Sequence, residues 1–319
     1  MRAVPVLAAL ATLLTACGTL ASPKVRAVPS SPPAISVHHA PALPQELSGL
    51  AAAPVGDAIW IVGGLDAADV STTTLMAYAP RRGVIRSDRL PFPTHDASVV
   101  AQGGDLLLVG GGRFTSLDTF GRIALPGGSF TALGTTPTPL SDLWSGVLGG
   151  VPTVVGGFTG QKASRTIWQY RAGSWQSLAE MPKGVRYPAV AEGGGSLYVA
   201  GGLTTGMPGG GGPTADVLSL SPGGRVTSRG TLPVALYRAG AAWEDGALYI
   251  VGGETKTAYL STIYRFDPKT GRSSLVGHLP RAWAYGGVVQ EGRQVYLIGG
   301  QNAQGSLASV WRISFTSRH

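Results

Sequence analysis

The dominant pattern in this chain is a short apolar run followed by two glycines. It occurs six times, as IWIVGG (ending at Gly64), LLLVGG (Gly111), TVVGG (Gly157), LYVAGG (Gly202), LYIVGG (Gly253) and VYLIGG (Gly300). The first glycines of successive pairs are separated by 47, 46, 45, 51 and 47 residues. A fixed period of this length is typical of an array built from one supersecondary unit.

The fifth repeat shows what one unit contains. Residues 239–243 (AGAAW) predict a strand, and after a polar turn residues 247–251 (ALYIV) predict a second strand that is apolar on both faces. Beyond Gly252-Gly253 and a variable loop, residues 262–266 (TIYRF) predict a third strand and residues 273–279 a fourth. Each repeat therefore predicts four antiparallel strands.

The ends of the fourth strands carry a second pattern. Four of them are expected to stop at an apolar residue followed by proline, at Leu90-Pro91, Met181-Pro182, Leu232-Pro233 and Leu279-Pro280. The last repeat contains only three strands, whereas the segment 35–44 finishes in Leu43-Pro44 and has no partner before it. We predict that this N-terminal segment supplies the missing strand and closes the ring, which leaves few exposed edges.

Gly-Gly after an apolar strand, an aromatic residue in the third strand and a following turn together resemble the kelch motif. The resemblance covers roughly residues 35–315 and rests on six copies in register. It implies an all-β fold, a six-bladed kelch β-propeller with four antiparallel strands per blade. The ligand of such a scaffold is chosen by loops at one mouth.

The N-terminus has the features of an export signal. A basic start at Arg2 and an apolar run over residues 4–14, too short to span a bilayer, lead into Leu14-Thr15-Ala16-Cys17. This resembles a bacterial lipoprotein signal peptide over residues 1–16, which implies lipid attachment to Cys17 and anchoring to a bacterial membrane, at the cell surface or periplasmic face. Residues 17–34, rich in Pro and Ser, predict a tether. An ordinary signal peptide is the alternative.

The net charge of the chain excludes few classes of binding partner. The formal net charge is +8, and arginine supplies twenty of the twenty-five basic residues. A basic exported protein could favour anionic lipids or acidic glycans, but a compositional bias accounts for the charge equally simply. No dense basic run with interleaved aromatics suggests nucleic acid. We expect a monomer without a cofactor. We also expect no metal, because the five histidines show no metal-ligand spacing.

Candidate binding residues lie just before strand one and just after the Gly-Gly pairs. These two positions share one mouth, because strands one and two are antiparallel. The candidate binding residues are His95, Asp96, Arg113, Trp144, Arg186, Tyr187, Tyr237, Arg238, Glu254, Trp283 and Tyr285. Asp142 precedes strand one in the same way. Arginines beside aromatic rings suit a sugar or an anionic group. Structural bonding between neighbouring blades is the competing interpretation.

Signatures of catalysis are scarce. The chain contains no Gly-x-Ser-x-Gly elbow and no phosphate-binding loop. The leading hypothesis is therefore a binding module for a protein or glycan ligand. The alternative, drawn from the kelch resemblance, is a carbohydrate-active enzyme resembling a sialic-acid mutarotase or epimerase. That alternative needs a preorganised carboxylate with a shifted pKa at the mouth.

Overall fold

The computed structural model of the chain describes residues 33–205 and 211–316. Regular structure in these two stretches consists of β-strands. No helix there is both long enough and apolar enough to cross a bilayer. The signal segment 1–16, Cys17 and nearly all of the tether lie outside the described residues.

The strands form six blades, each a four-stranded antiparallel unit. The first strand, β1 (Ala34–Ala40), precedes them all. Blades 1 and 2 follow, as β2 (Ala51–Val55), β3 (Ala58–Val62), β4 (Thr72–Ala79), β5 (Gly83–Gln102), β6 (Asp105–Gly112), β7 (Thr119–Ala124) and β8 (Ser129–Thr135). The long strand β5 pairs with β4 through residues 83–94 and with β6 through residues 95–102. It is therefore both the outer strand of blade 1 and the inner strand of blade 2.

The next two blades are single four-stranded sheets. Blade 3 contains β9 (Ser141–Leu148), β10 (Val151–Phe158), β11 (Thr166–Arg171) and β12 (Ser174–Glu180), and blade 4 contains β13 (Ala189–Gly193), β14 (Ser196–Ala200), β15 (Thr214–Leu220) and β16 (Val226–Leu236). In each, the strands pair in chain order from the inner to the outer edge.

Blade 5 follows the same order, and blade 6 does not. Blade 5 contains β17 (Gly240–Glu244), β18 (Ala247–Val251), β19 (Thr262–Asp267) and β20 (Arg272–His278). Blade 6 contains β21 (Gly287–Glu291), β22 (Gln294–Ile298) and β25 (Val310–Thr316), with a small hairpin of β23 (Gln301–Asn302) and β24 (Gly305–Ser306) in its loop. The fourth strand of blade 6 is β1, which precedes the other blades in the chain.

The N-terminal strand closes the ring as the sequence predicts. β1 pairs antiparallel with β25, so that Ala34 lies opposite Thr316 and Ala40 opposite Val310. The inner strand β2 of blade 1 also contacts β21 of blade 6. First and last blades are thus joined both by a shared strand and by neighbouring inner strands.

The Gly-Gly pairs link each blade to the next. The second glycine of every pair donates its N–H to a carbonyl at the entrance of the following blade, at 2.7–2.9 Å: Gly64 to Thr94, Gly111 to Leu140, Gly157 to Val185, Gly202 to Leu236, Gly253 to Trp283 and Gly300 to Leu47. The first glycine lies so close that a Cβ there would overlap the same carbonyl. The repeated Gly-Gly is therefore a requirement of blade packing.

The apolar core lies between blades. Buried side chains of adjacent blades form one cluster at each interface. Between blades 1 and 2, for example, Trp60 and Leu75 pack against Val99 and Leu108. This arrangement explains why the second strands are apolar on both faces, since each faces two neighbours.

Two of the predicted strand ends are wrong. β5 continues through Pro91 and Pro93, and β16 continues through Pro233. All three prolines lie where the register of the ladder is interrupted, between Arg89 and Thr94 in β5 and between Thr231 and Leu236 in β16, so a missing N–H removes no ladder hydrogen bond there. By contrast, β12 and β20 end before Pro182 and Pro280, as expected.

Candidate functional site

Six residues at equivalent positions adopt left-handed backbone conformations. They are Gly49, Asp96, Asp142, Tyr187, Arg238 and Tyr285, with φ between 51° and 61°. Each precedes the first glycine of its blade's Gly-Gly pair by fourteen residues. Five of the six carry side chains, for which this conformation is uncommon. We call this set the axial ring, because it surrounds the propeller axis.

Backbone hydrogen bonds run around the axial ring from blade to blade. The N–H of Gly49 donates to the Tyr285 carbonyl, Asp96 to Gly49, Tyr187 to Asp142, Arg238 to Tyr187 and Tyr285 to Arg238, at 2.8–3.2 Å. The left-handed conformation is therefore fixed by contacts between blades. Such strained positions persist where the surrounding structure determines them, and they cluster at functional sites.

Tyr187 lies at the centre of the side-chain contacts. Its hydroxyl donates to Asp96 Oδ2 at 3.1 Å. It also accepts from Arg186 Nη2 at 3.0 Å and from Arg238 Nη2 at 3.2 Å. One phenol thus joins residues of three different blades, namely blades 2, 4 and 5.

Each of the two arginines also has a carboxylate partner. Arg186 Nη2 lies 2.5 Å from Asp142 Oδ2, and Arg238 Nη1 donates to Glu254 Oε1 at 3.0 Å. The Arg238 guanidinium lies 3.8 Å from the centre of the Tyr285 ring, and cation–π contacts of this kind are favourable. We call the axial ring together with Arg186 and Glu254 the axial cluster.

Burial shifts the ionisation of several groups in the axial cluster. Burial and the neighbouring Asp96 carboxylate raise the pKa of Asp142 to about 8, although Arg186 opposes the shift. Burial and the charge of Asp96 also raise the pKa values of the Tyr187 and Tyr285 hydroxyls. Asp142 is therefore a carboxyl group that holds a proton near neutral pH, beside a second carboxylate.

A cavity of about 490 Å³ lies along the axis. All six residues of the axial ring line it, and its walls follow the inner strands towards the opposite hairpins, as far as Glu192 and Gln290. Arg186, Tyr237 and Glu254 are not among its lining residues. The walls are mostly small and apolar, with Ala51, Ala53, Ala97, Val99, Val190, Ala241 and Gly287. This axial cavity has the size of a small-molecule site, and the side chains of Asp96, Asp142, Tyr187, Arg238 and Tyr285 form one end of it.

Comparisons with known proteins agree with this architecture. Residues 237–280, which span blade 5, match the family model described as Kelch motif. The chain folds as a six-bladed β-propeller, and its fifth blade matches the Kelch motif. A solved structure titled "Structure of YjhT" superimposes with a TM-score of 0.69, at 17% sequence identity, over 85% of this chain and 95% of that one. At this identity the likeness concerns the fold alone. No curated protein matches the sequence.

The kelch propeller brings most of the predicted site residues together. Asp96, Tyr187, Arg238 and Tyr285 belong to the axial ring. Arg186 and Glu254 pair with it from outside the cavity, and the Tyr237 ring lies 5.7 Å from the Arg238 guanidinium. His95 Nε2 lies 3.9 Å from Asp96 Oδ2, and its Nδ1 lies 2.8 Å from Ser71 Oγ. Trp144 lines the cavity wall.

Two predicted residues lie elsewhere. Arg113 is exposed, and its Nε donates to the Pro93 carbonyl at 3.1 Å. Trp283 is buried between blades 5 and 6, where its Nε1 donates to the Gly299 carbonyl at 2.7 Å. Trp283 occupies the position of the core residues Leu47 and Leu236 in other blades, two residues before the axial ring. Its role in the structure is packing.

The sequence patterns do not identify Gly49 as a member of the axial ring. Asp142 lies before strand one, and it is not among the candidate binding residues predicted from the sequence. The constant offset of fourteen residues from each Gly-Gly pair would have found both. Clusters of three or more His, Cys, Asp or Glu side chains that could hold a metal ion are absent from residues 33–205 and 211–316.

Proposed function

We propose that this kelch propeller is a non-catalytic binding module whose axial cavity takes a small polyhydroxylated ligand, such as one sugar residue of a glycan. The observation that carries the proposal is the hydrogen-bonded series Arg238–Tyr187–Asp96 at the polar end of the cavity. It offers a donor, a hydroxyl and an acceptor side by side. A sugar hydroxyl can both donate and accept, so it complements such a series.

A glycan fits this site better than the other ligand classes that the sequence leaves open. The polar groups lie inside a cavity of about 490 Å³, which suits a small molecule rather than a protein surface. Both guanidinium groups already lie beside a carboxyl group of the protein. An anionic ligand would have to compete with those carboxyl groups, whereas a neutral polyol would not.

Calorimetric titration of the full chain with a panel of neutral sugars tests the proposal. We expect saturable binding to at least one sugar, and its loss in Arg238→Met. The matched control is Arg113→Met, because Arg113 is exposed and does not line the cavity. The absence of binding across the panel, or unchanged binding in folded Arg238→Met, would refute the proposal.

A second candidate function is acid–base catalysis on a sugar, as in a mutarotase or epimerase. The observation that favours it is the carboxyl pair Asp96 and Asp142. The pKa of Asp142 is raised to about 8, and Asp96 accepts a hydrogen bond from the Tyr187 hydroxyl. A catalytic acid works best with a pKa near the working pH. Exchange of sugar anomers, followed by NMR, should be accelerated by the protein and lost in Asp142→Asn. If sugars bind without accelerated exchange, the binding module is the better account.

We further propose that a lipid on Cys17 anchors the propeller to a bacterial membrane. Support comes from the lipobox-like Leu14-Thr15-Ala16-Cys17 and from the position of Cys17 as the one cysteine of the sequence. Intact-mass measurement of the membrane fraction should find a mature chain that begins at Cys17 and carries acyl groups. Cys17→Ser should release the protein from the membrane. An unmodified N-terminus would contradict this.

A further inference from the structure

The axial cluster contains more acidic side chains than basic ones. Its carboxyl groups are Asp96, Asp142 and Glu254, and its guanidinium groups are Arg186 and Arg238. With all three carboxyls ionised, the cluster carries a net charge of −1. Uncompensated charge is costly in a buried site, so a further cation or a proton has to be held there.

The other titratable groups around the cluster do not supply this charge. Burial lowers the pKa of His95, so its imidazole is neutral at pH 7. The pKa values of Tyr187, Tyr237 and Tyr285 are raised, so these hydroxyls stay uncharged. Glu192 is exposed at the far end of the cavity, where water solvates it. In the free protein the compensating charge is the proton on Asp142.

The excess of carboxyl groups over guanidinium groups lies at the axial cavity. Asp96, Asp142 and Arg238 line the cavity, whereas Arg186 and Glu254 do not. At the end formed by the axial ring, the cavity therefore presents two carboxyl groups against one guanidinium. Asp142 is 4% exposed, and its Oδ2 is buried against Arg186 Nη2, 2.5 Å away. Asp96 also lines the cavity, and its Oδ2 accepts from the uncharged Tyr187 hydroxyl rather than from a guanidinium, so the uncompensated negative charge faces the cavity.

We propose that the ligand of the axial cavity is an amino sugar, whose ammonium group binds between Asp96 and Asp142 while its hydroxyls bind Tyr187 and Arg238. This inference rests on the proposed function and names the ligand class of the same site. The ammonium takes the place of the Asp142 proton, which leaves to solvent. Charge in the cluster then balances at three carboxylates, two guanidinium groups and one ammonium.

Selectivity among three related sugars tests the inference. Glucosamine, glucose and N-acetylglucosamine share a ring, and only glucosamine carries a charged amine. At about pH 6.5, where a primary amine is charged, the full chain should bind glucosamine at least about tenfold more tightly than the other two, because hydrogen bonds to charged groups are the stronger ones. Asp142→Asn should reduce that ratio to about one while it retains glucose binding.

The matched control is Asp88→Asn, which removes a carboxylate from the outer strand of blade 1 and does not line the cavity. It should leave the glucosamine preference unchanged. Equal binding of glucosamine and glucose by the wild-type chain would overturn the amino-sugar inference and leave the binding module standing. Failure of every sugar to bind would overturn the binding module itself.

Proton release keeps the inference testable if Asp142→Asn does not fold. Titration of the wild-type chain with glucosamine in two buffers of different ionisation enthalpy measures the protons exchanged on binding. We expect release of close to one proton at about pH 6.5, below the raised pKa of Asp142, and none with glucose. Binding of glucosamine without proton release would overturn the exchange of proton for ammonium.

Discussion

The Tyr187 hydroxyl donates a hydrogen bond to Asp96 Oδ2 at 3.1 Å, across 91 residues of sequence and from blade 4 to blade 2. The same hydroxyl accepts from Arg186 and Arg238, so it links the carboxylate to two guanidinium groups. This single phenol holds Asp96, Arg186 and Arg238 in one arrangement. It is therefore the first position at which the axial cluster should be perturbed.

Tyr187→Phe should destabilise the protein by ~1–3 kcal/mol, because Asp96 loses a donor and two guanidinium groups lose an acceptor in a largely buried site. The ring itself remains, so its edge-to-face contact with Tyr285 at 5.4 Å is retained. Denaturant unfolding measures the loss. Tyr170→Phe is the control, since it removes a hydroxyl from an aromatic cluster with Phe120 and Trp175 away from the axis. Equal effects of the two changes would show that the hydroxyl contacts of Tyr187 contribute nothing specific.

Gly49 leaves space for Tyr285 in the axial ring. A Cβ at Gly49 would lie 2.8 Å from the Tyr285 hydroxyl oxygen and 2.9 Å from Asp96 Oδ1. Gly49→Ala should therefore displace both side chains and lower the free energy of unfolding. Gly56→Ala separates this clash from backbone strain, because Gly56 has a similar φ of 61° and its Cβ would meet open space. Each change should cost ~1 kcal/mol from strain, and only Gly49→Ala should cost more and weaken ligand binding.

The blade pattern could be predicted because its causes are local. An apolar strand that faces two neighbours needs apolar residues throughout, and the turn that follows excludes a Cβ, so Gly252-Gly253 and its equivalents stand out in the sequence. The continuation of β5 through Pro91 could not be predicted from the sequence, because only the assembled sheet shows which strand positions tolerate proline. The closing strand was predictable from the incomplete sixth repeat.

The candidate site was only partly predictable. Arg186, Tyr187, Arg238 and Tyr285 follow from their place before strand one. The left-handed backbone of Asp96 and Tyr187 does not follow, because local propensity disfavours it and contacts between blades impose it. The contacts of Trp283 and Asp142 are likewise set by neighbouring blades. They bury the Trp283 indole in the core and raise the pKa of the Asp142 carboxyl group.

Asp142 should make stability fall as pH rises. Its pKa is about 8 in the folded protein and near 3.8 when unfolded, so between these values the folded state holds a proton that the unfolded state releases. The free energy of unfolding should therefore decline between about pH 4 and pH 8, by at most ~1.4 kcal/mol per pH unit from this group. Unfolding measured at several pH values gives the slope.

Asp142→Asn removes this contribution and retains every other titratable residue. The difference in unfolding free energy between variant and wild type should shift in favour of the variant as pH rises through the window. Asp88→Asn is the control, since Asp88 pairs with Arg86 on an outer strand far from the axis. A pH dependence of Asp142→Asn that parallels the wild type would mean that Asp142 is ionised in the folded protein.

Closure of the ring by β1 should be essential to stability, and the two faces of the strand allow a matched test. Val37 pairs with Ile313 of β25 and packs against the core between blades 5 and 6. His38, the next residue, is exposed. Val37→Asp should cost about 2 kcal/mol or more, because it places a carboxylate against apolar side chains, whereas His38→Asp should change stability by less than ~0.5 kcal/mol. Thermal unfolding distinguishes them. If Val37→Asp unfolds at the wild-type temperature, β1 is dispensable, and blades 1 and 6 are held by their inner strands alone.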